Sequence, residues 1–224
     1  RLEFANYREL FGRFPFLLYL GNSFKVTLSV VVLQLFTSCM AGYVFARIKF
    51  RGVDKLFLLY LATMMVPFQV TVIPNFVMMK NYGLVDTHWS LILPAVVSAY
   101  GTFLLRQFFV TVPQALEDSA KIDGCNHFQI FARIMLPMAK PTITTLLIFI
   151  FMGVWNDYFN PFIYINTDSL KTLPLGIATM QGMYMTDWAV LMAGAFLSMI
   201  PVLIAFLIGQ DQFVKGVMLS GMKD

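Results

Sequence analysis

Five stretches of this chain are apolar over about 20 residues, the length an α-helix needs to cross ~30 Å of hydrocarbon. They lie near Val26–Phe45, Leu56–Met79, Trp89–Phe109, Thr142–Ile163 and Trp188–Ile208. Lipid offers no partner to an unpaired N–H or C=O, so each stretch is read as a helix that satisfies its own backbone. Composition agrees: 12% of residues are charged and 58% hydrophobic, against roughly 25% charged in a soluble domain. The expected class is an all-α polytopic membrane protein.

The placement of Lys and Arg orients it. Arg47, Lys49, Arg51 and Lys55 follow the first stretch, and Arg106, Lys121, Arg133 and Lys140 follow the third. The loops after the second and fourth carry only Lys80 and Lys171. Basic loops stay in the cytoplasm, so the tail with Lys215 and Lys223 is expected inside and residues 1–22 outside. The net charge of +4 is then an orientation signal and does not point to nucleic acid. The chain opens on Arg1 without Met or a signal-peptide pattern. It is read as a fragment, and a cytoplasmic N-terminus requires one more span ahead of it.

Small residues repeat at helical spacing: Ser38, Gly42 and Ala46, then Gly194 and Ser198. They permit close helix contact, expected inside the subunit. Pro67, Pro74, Pro94 and Pro201 each remove a backbone bond within a stretch. Asn156 and Asp157 are polar near the end of the fourth. They would line a path for a polar solute, or form a helix end satisfied locally. Gln69, Asn75, Gln34 and Gln181 are further lining candidates, with Tyr158, Tyr43 and Tyr100 able to stack on a ring. No arrangement suggests catalysis: His88 and His127 stand alone, and there is no paired-carboxylate, Cys–His or Ser–His–Asp pattern. Cys39 and Cys125 are poorly placed for a disulfide or metal site. No Gly-x-x-x-x-Gly-Lys-Ser/Thr loop is present to cradle phosphate.

Residues 111–141 are the polar exception. Pro113 suits the first turn of a helix, and Glu117 and Asp118 favour its positive end. Asp123-Gly124 reads as a stop, with glycine able to take the left-handed backbone of a C-cap. Asn126 and Gln129 have capping-box spacing for a second helix. Phe128, Phe131 and Met135 share one face of it, and Pro137 and Pro141 close it. Two short helices meeting at a glycine would form a knob with an apolar face. Such a face suits a protein partner or the lipid surface.

Asp118-Ser119-Ala120, Asp123-Gly124-Cys125 and Ile134-Met135-Leu136-Pro137 resemble the EAA loop of the permease subunits of ABC importers. Ala41-Gly42-Tyr43-Val44-Phe45-Ala46-Arg47, Tyr82-Gly83-Leu84-Val85-Asp86-Thr87, Leu91-Ile92-Leu93-Pro94 and Phe103-Leu104-Leu105-Arg106-Gln107-Phe108-Phe109 look like the carbohydrate-importer branch. So do Trp155-Asn156-Asp157, Thr172-Leu173-Pro174 and Gln212-Phe213-Val214-Lys215-Gly216. The chain is most similar to the smaller, maltose-type permease subunit. The resemblance implies a type I importer fold with six spans, five of them visible here. It implies a permease domain over residues 23–210, a coupling loop at 111–141 and a tail at 211–224. It implies a sugar or oligosaccharide as solute, a second and larger permease subunit, two ATPase subunits and an extracytoplasmic sugar-binding protein. ATP and Mg would sit on the ATPase subunits, with no cofactor on this chain. The ATPase contacts would come from Glu117, Asp118, Ser119, Ala120, Asp123, Gly124, Phe128, Phe131, Leu136 and Pro137, with a second contact after Gln210. A different solute, such as a phosphorylated polyol, fits the same fold. An ATP-independent carrier would need coupling charges within spans or inverted repeats, and only Asp157 is a candidate charge.

Overall fold

The computed structural model describes residues 5–181 and 186–221, those from 211 onward by backbone alone. Among the described residues all regular elements are helical. In chain order they are α1 (Ala5–Arg13), α2 (Phe16–Arg47), α3 (Val53–Ala62), α4 (Phe68–Asn81), α5 (Trp89–Ile92), α6 (Ala99–Thr111), α7 (Gln114–Ile122), α8 (His127–Ile130), α9 (Leu136–Met138), α10 (Lys140–Trp155), α11 (Phe159–Tyr164), α12 (Leu173–Ala178) and α13 (Trp188–Gly221).

Phe16–Arg47, Trp89–Thr111 and Trp188–Gln210 are long and apolar enough to cross a membrane. Two bent pairs raise the number to five if each forms one span: Val53–Met65 with Phe68–Asn81, bent by 98°, and His127–Met138 with Lys140–Trp155, bent by 76°. The first bend has a local cause. Val66 is extended, with φ −80° and ψ 116°, the conformation imposed on a residue that precedes proline. Pro74 and Pro201, by contrast, lie inside continuous helices.

Two boundaries differ from the hydropathy reading. The first span starts at Phe16 rather than Val26, and its 32 residues extend about 48 Å at 1.5 Å per residue. Asn22, expected in the outer segment, and Ser23 are buried polar residues of α2. Asn22 Nδ2 donates to the carbonyls of Ser169 and Lys171, both at 2.9 Å, and Ser23 Oγ accepts the Leu173 N–H at 2.7 Å. The fourth span stops at Trp155 rather than Ile163. Asn156 donates to the Met152 carbonyl at 2.9 Å, and Asp157 accepts from the Asn160 N–H at 3.2 Å and Nδ2 at 2.7 Å. Those bonds end one helix and open the next.

The chain divides into two compact units. The first comprises Arg1–Val31, Val72–Ala95 and Ile150–Ile208. Its core includes Trp155, whose ring centroid lies 4.7 Å from Phe24 and 5.4 Å from Phe151. The indole N–H donates to the Ser198 carbonyl at 2.9 Å, which satisfies the polar end of a buried aromatic. Gly194 admits Leu10, which a Cβ there would meet at 3.4 Å.

Asp86 fastens a loop in this unit. It has φ 60°, a left-handed conformation that Asp tolerates better than most side chains. Its N–H donates to the Tyr164 carbonyl at 2.9 Å. Its carboxylate accepts the N–H groups of Asn166 and Thr167 at 2.8 and 2.9 Å and the Thr167 hydroxyl at 2.6 Å. The Thr167 hydroxyl, then the two backbone donors, hold the Asp86 carboxyl below its usual value. A carboxylate depressed in the folded state stabilises above its unfolded pKa of about 3.9 and loses that contribution as pH falls through the folded value. The protection factors of the Asn166 and Thr167 amides, taken against the intrinsic exchange rate at each pH, should therefore be highest at neutral pH and fall as pH drops through the folded value, below about 3.9. Asp86→Asn keeps one carbonyl acceptor and should flatten that dependence. An unchanged acid response in the variant would exclude Asp86 as its source.

The second unit comprises Val32–Thr71, Val96–Phe149 and Gly209–Asp224. Here α2 and α6 cross closely. A Cβ on Gly101 would lie 2.6 Å from Ser38 Oγ, and one on Gly42 would lie 3.0 Å from Leu105 Cβ. The small residues thus serve packing within the subunit. Thr37 Oγ1 donates to the Val96 carbonyl at 2.6 Å. Tyr43 lies 6.0 Å from Phe109 and 5.1 Å from Phe131, ring to ring.

Candidate functional site

The polar interruption folds as helix, corner, helix. Pro113 stands immediately before α7 with ψ 133°. At the other end of α7 the Cys125 N–H donates to the Ala120 carbonyl at 2.9 Å and the Gly124 N–H to Lys121 at 3.0 Å. This is a Schellman closure, and it places Gly124 at φ 81°, where glycine is unstrained. Asn126 Oδ1 then accepts the Gln129 N–H, and Gln129 Oε1 accepts the Asn126 N–H, both at 2.8 Å. The second helix therefore starts on a complete capping box.

Beyond α8 the chain widens into one π-helical turn, Phe131–Met135. The Leu136 N–H reaches back to the Phe131 carbonyl. The wider turn admits Pro137, which has no N–H to contribute. Helix continues through Pro137 to Met138 and breaks at Ala139, so Pro137 lies before the break rather than at it.

The structure sorts the site residues by exposure. Asp118, Ser119, Asp123, Gly124 and Pro137 are exposed. Ala120 is buried and Leu136 half-buried. The face expected to carry Phe128, Phe131 and Met135 divides: Phe128 is 71% exposed, whereas Phe131 and Met135 are buried beside Ile130. Phe131 packs inward on Tyr43, leaving Phe128 outside. Ile122, 87% exposed at the end of α7, is the apolar residue that sequence reasoning passed over. It stands two residues before the glycine, an exposed position for a residue usually found inside.

Glu117 turns inward. Its side chain is 1% exposed, and Oε1 lies 2.9 Å from Arg47 Nε, whose own side chain is 8% exposed. The contact pairs opposite charges without forming an aligned hydrogen bond. Lys121 Nζ lies 4.0 Å from the other carboxylate oxygen and 3.9 Å from Asp118 Oδ1. Gln114 Nε2 donates to Asp118 Oδ1 at 3.3 Å. Arg47 had counted only as one of several basic loop residues.

The other candidates fall elsewhere. Asn156 and Tyr158 are exposed and Asp157 half-buried, next to the end of α10. Tyr158 stacks on Phe162 at 5.5 Å. Gln69 is exposed near the Val66–Pro67 break, and Asn75 is half-buried in α4. Among the described residues no group of three His, Cys, Asp or Glu side chains is placed to hold a metal. The tail contact expected after Gln210 falls on side chains outside the described residues.

Membrane-length helices combined with a folded polar knob define an integral membrane component with one structured polar projection. Residues 34–218 match the family described as binding-protein-dependent transport system inner membrane component, and the chain belongs to that family. It is 35% identical over 205 residues to the arabinooligosaccharides transport system permease protein AraQ of Halalkalibacterium halodurans, covering 92% of this chain and 74% of that one. It is 34% identical to the lactose transport system permease protein LacG of Rhizobium radiobacter, over 98% of this chain and 80% of that one. The sn-glycerol-3-phosphate transport system permease protein UgpE of Pectobacterium atrosepticum is 33% identical, over 90% and 73%. The crystal structure of a bacterial ABC transporter involved in the import of the acidic polysaccharide alginate contains a chain of the same fold. It aligns with TM-score 0.86 at 22% identity, over 95% of this chain and 80% of that one. The protein is thus an inner-membrane permease subunit of an ABC importer, a membrane component rather than a catalytic enzyme. It works with other components of the transporter and with a substrate-binding protein.

Proposed function

We propose that this chain is one permease half of an importer for a sugar or oligosaccharide, driven through its knob by separate ATPase subunits. The observation that carries the coupling is the corner itself. Ile122 and Phe128 stand exposed on either side of Gly124, and bonds within the knob close the corner from both sides. A rigid apolar projection of this kind suits a groove on a protein partner. In this reading residues 111–141 and the tail at 211–224 face the cytoplasm and the segment ahead of Phe16 the outside, with the spans from Phe16 to Gln210 forming the permease domain. A larger permease subunit completes the path, two ATPase subunits hold ATP and Mg, and an extracytoplasmic binding protein delivers the solute. Gln69, Asn75, Asn156, Asp157 and Tyr158 are the proposed contacts along the path. The names of AraQ and LacG support a sugar. That of UgpE supports the second reading, a phosphorylated polyol.

The test is Gly124→Val in the complete complex, reconstituted with binding protein and ATPases. A Cβ at this glycine meets nothing within 4 Å in this chain, so within the subunit the strain falls on the backbone. A left-handed conformation costs an L-residue about 1–2 kcal/mol, and β-branching adds to that. Because docking requires the corner to hold this backbone, ATP-driven uptake should fall roughly five- to thirtyfold, at 1.4 kcal/mol per factor of ten. Binding of solute by the binding protein should not change. Gly124→Asn, tolerated at such caps, should retain most uptake. Full uptake by the valine variant would refute docking through this corner.

A further inference from the structure

We propose that Arg47 is a positioning residue for coupling: it fastens the coupling helix α7 to the ends of α2 and α6, so that a push on the knob moves those helices with it. The proposal rests on the coupling function of the knob given above. Between α6 and α7 the chain passes through only Val112 and Pro113, both extended, with ψ 130° and 133°. The Val112 N–H reaches back to the Phe109 carbonyl at 3.3 Å and the Pro113 carbonyl accepts the Leu116 N–H at 3.2 Å, but among the described residues no backbone bond crosses from α6 to α7, and by itself the link would let α7 swing.

Arg47 spans that link with one guanidinium. Nη2 donates to the Phe109 carbonyl at 2.6 Å and to the Val112 carbonyl. Nη1 donates to Gln114 Oε1 at 3.1 Å, and Nε pairs with Glu117 at 2.9 Å. The end of α6, the link and the first turn of α7 are thus all held by the last residue of α2. A planar group with five fixed donors can do this, whereas the single ammonium of lysine cannot reach every partner at once. The ion pair is nearly dry, a setting where a salt bridge adds little stability over an apolar pair and its attested use is to fix register. Arg106 reinforces the same junction. Its Nε donates to the Phe45 carbonyl at 3.2 Å, and its guanidinium lies 4.2 Å above the Phe57 ring.

The experiment uses the complete complex in proteoliposomes and reads solute moved per ATP hydrolysed, alongside recovery of the ATPase on purification. The variants are Glu117→Gln, Arg47→Gln, their double, and Arg47→Lys. Arg47→Gln should lower the ratio about tenfold and Glu117→Gln by less, and the double should fall no further than Arg47→Gln, because that variant already removes the Glu117 contact. Arg47→Lys, which keeps the charge and loses the fork, should also lower it. The ATPase should co-purify at the wild-type level throughout. An unchanged ratio in Glu117→Gln and Arg47→Lys, a double variant whose losses multiply, or loss of the ATPase from every variant would overturn the proposal. A separate arm isolates the underlying reading. Phe128→Cys in the otherwise wild-type chain should cross-link to an ATPase bearing a cysteine in its groove. Failure there refutes docking at the knob, whatever the variants do.

Discussion

Glu117→Ala should be as damaging as truncating a core residue of the knob, destabilising the protein by about 3–5 kcal/mol, the range for removing one partner of a buried ion pair. The carboxylate is 1% exposed and faces an Arg47 side chain that is 8% exposed. Without it the guanidinium keeps its carbonyl contacts, but its charge stays in a nearly dry site with no counter-charge. Asp118 is the control. Its side chain is 59% exposed, and Asp118→Ala should stay within about 0.5 kcal/mol, as surface changes do. The comparison is read as the shift in thermal midpoint of the purified protein in detergent. Equal shifts for the two variants would show that the inward turn of Glu117 carries no energetic weight.

Gly176→Ala is the second large effect. The added Cβ would overlap the Tyr19 ring, 2.5 Å from Cε2 and 2.8 Å from Cγ. Tyr19 is 5% exposed, so the ring has little room to yield, and overpacking a filled core costs about 1–3 kcal/mol. Tyr19→Leu in the same chain should recover part of the loss, because residues in contact do not add. Gly153→Ala is the converse case. Nothing lies within 4 Å of its Cβ position inside α10, and alanine there should be neutral or stabilise by up to about 1 kcal/mol. If Gly176→Ala matched Gly153→Ala in thermal midpoint, close approach would not be what places glycine at 176.

Whatever depends on local chain chemistry was legible in the residues. Glycine at the corner, the Asn126–Gln129 box and the five apolar stretches all rest on spacings of a few residues, and all five stretches are helical for most of their length. What depends on distant partners was not. Asn22 read as part of the outer segment because its partners lie beyond residue 168. Glu117 read as a surface carboxylate because nothing in its own helix announces Arg47. Phe128 and Phe131 looked alike by helical periodicity, yet Tyr43 takes only one of them. Ile122 drew no notice because a lone isoleucine beside a polar turn has no pattern to give it away. The bend at Val66–Pro67 was signalled by proline, but its 98° angle was not.

The bonds that shape the corner join residues three to five apart: Ala120 to Cys125, Lys121 to Gly124, Asn126 to Gln129. Contacts so short in sequence form on the microsecond scale of turns and single helices and need no long loop to close. The corner can therefore take shape as the chain is synthesised, ahead of any partner. On the proposed docking, an ATPase meeting it would find a surface already ordered, with little conformational entropy left to be lost on association. That favours dissociation and reassembly of the ATPase without remodelling of the membrane subunit.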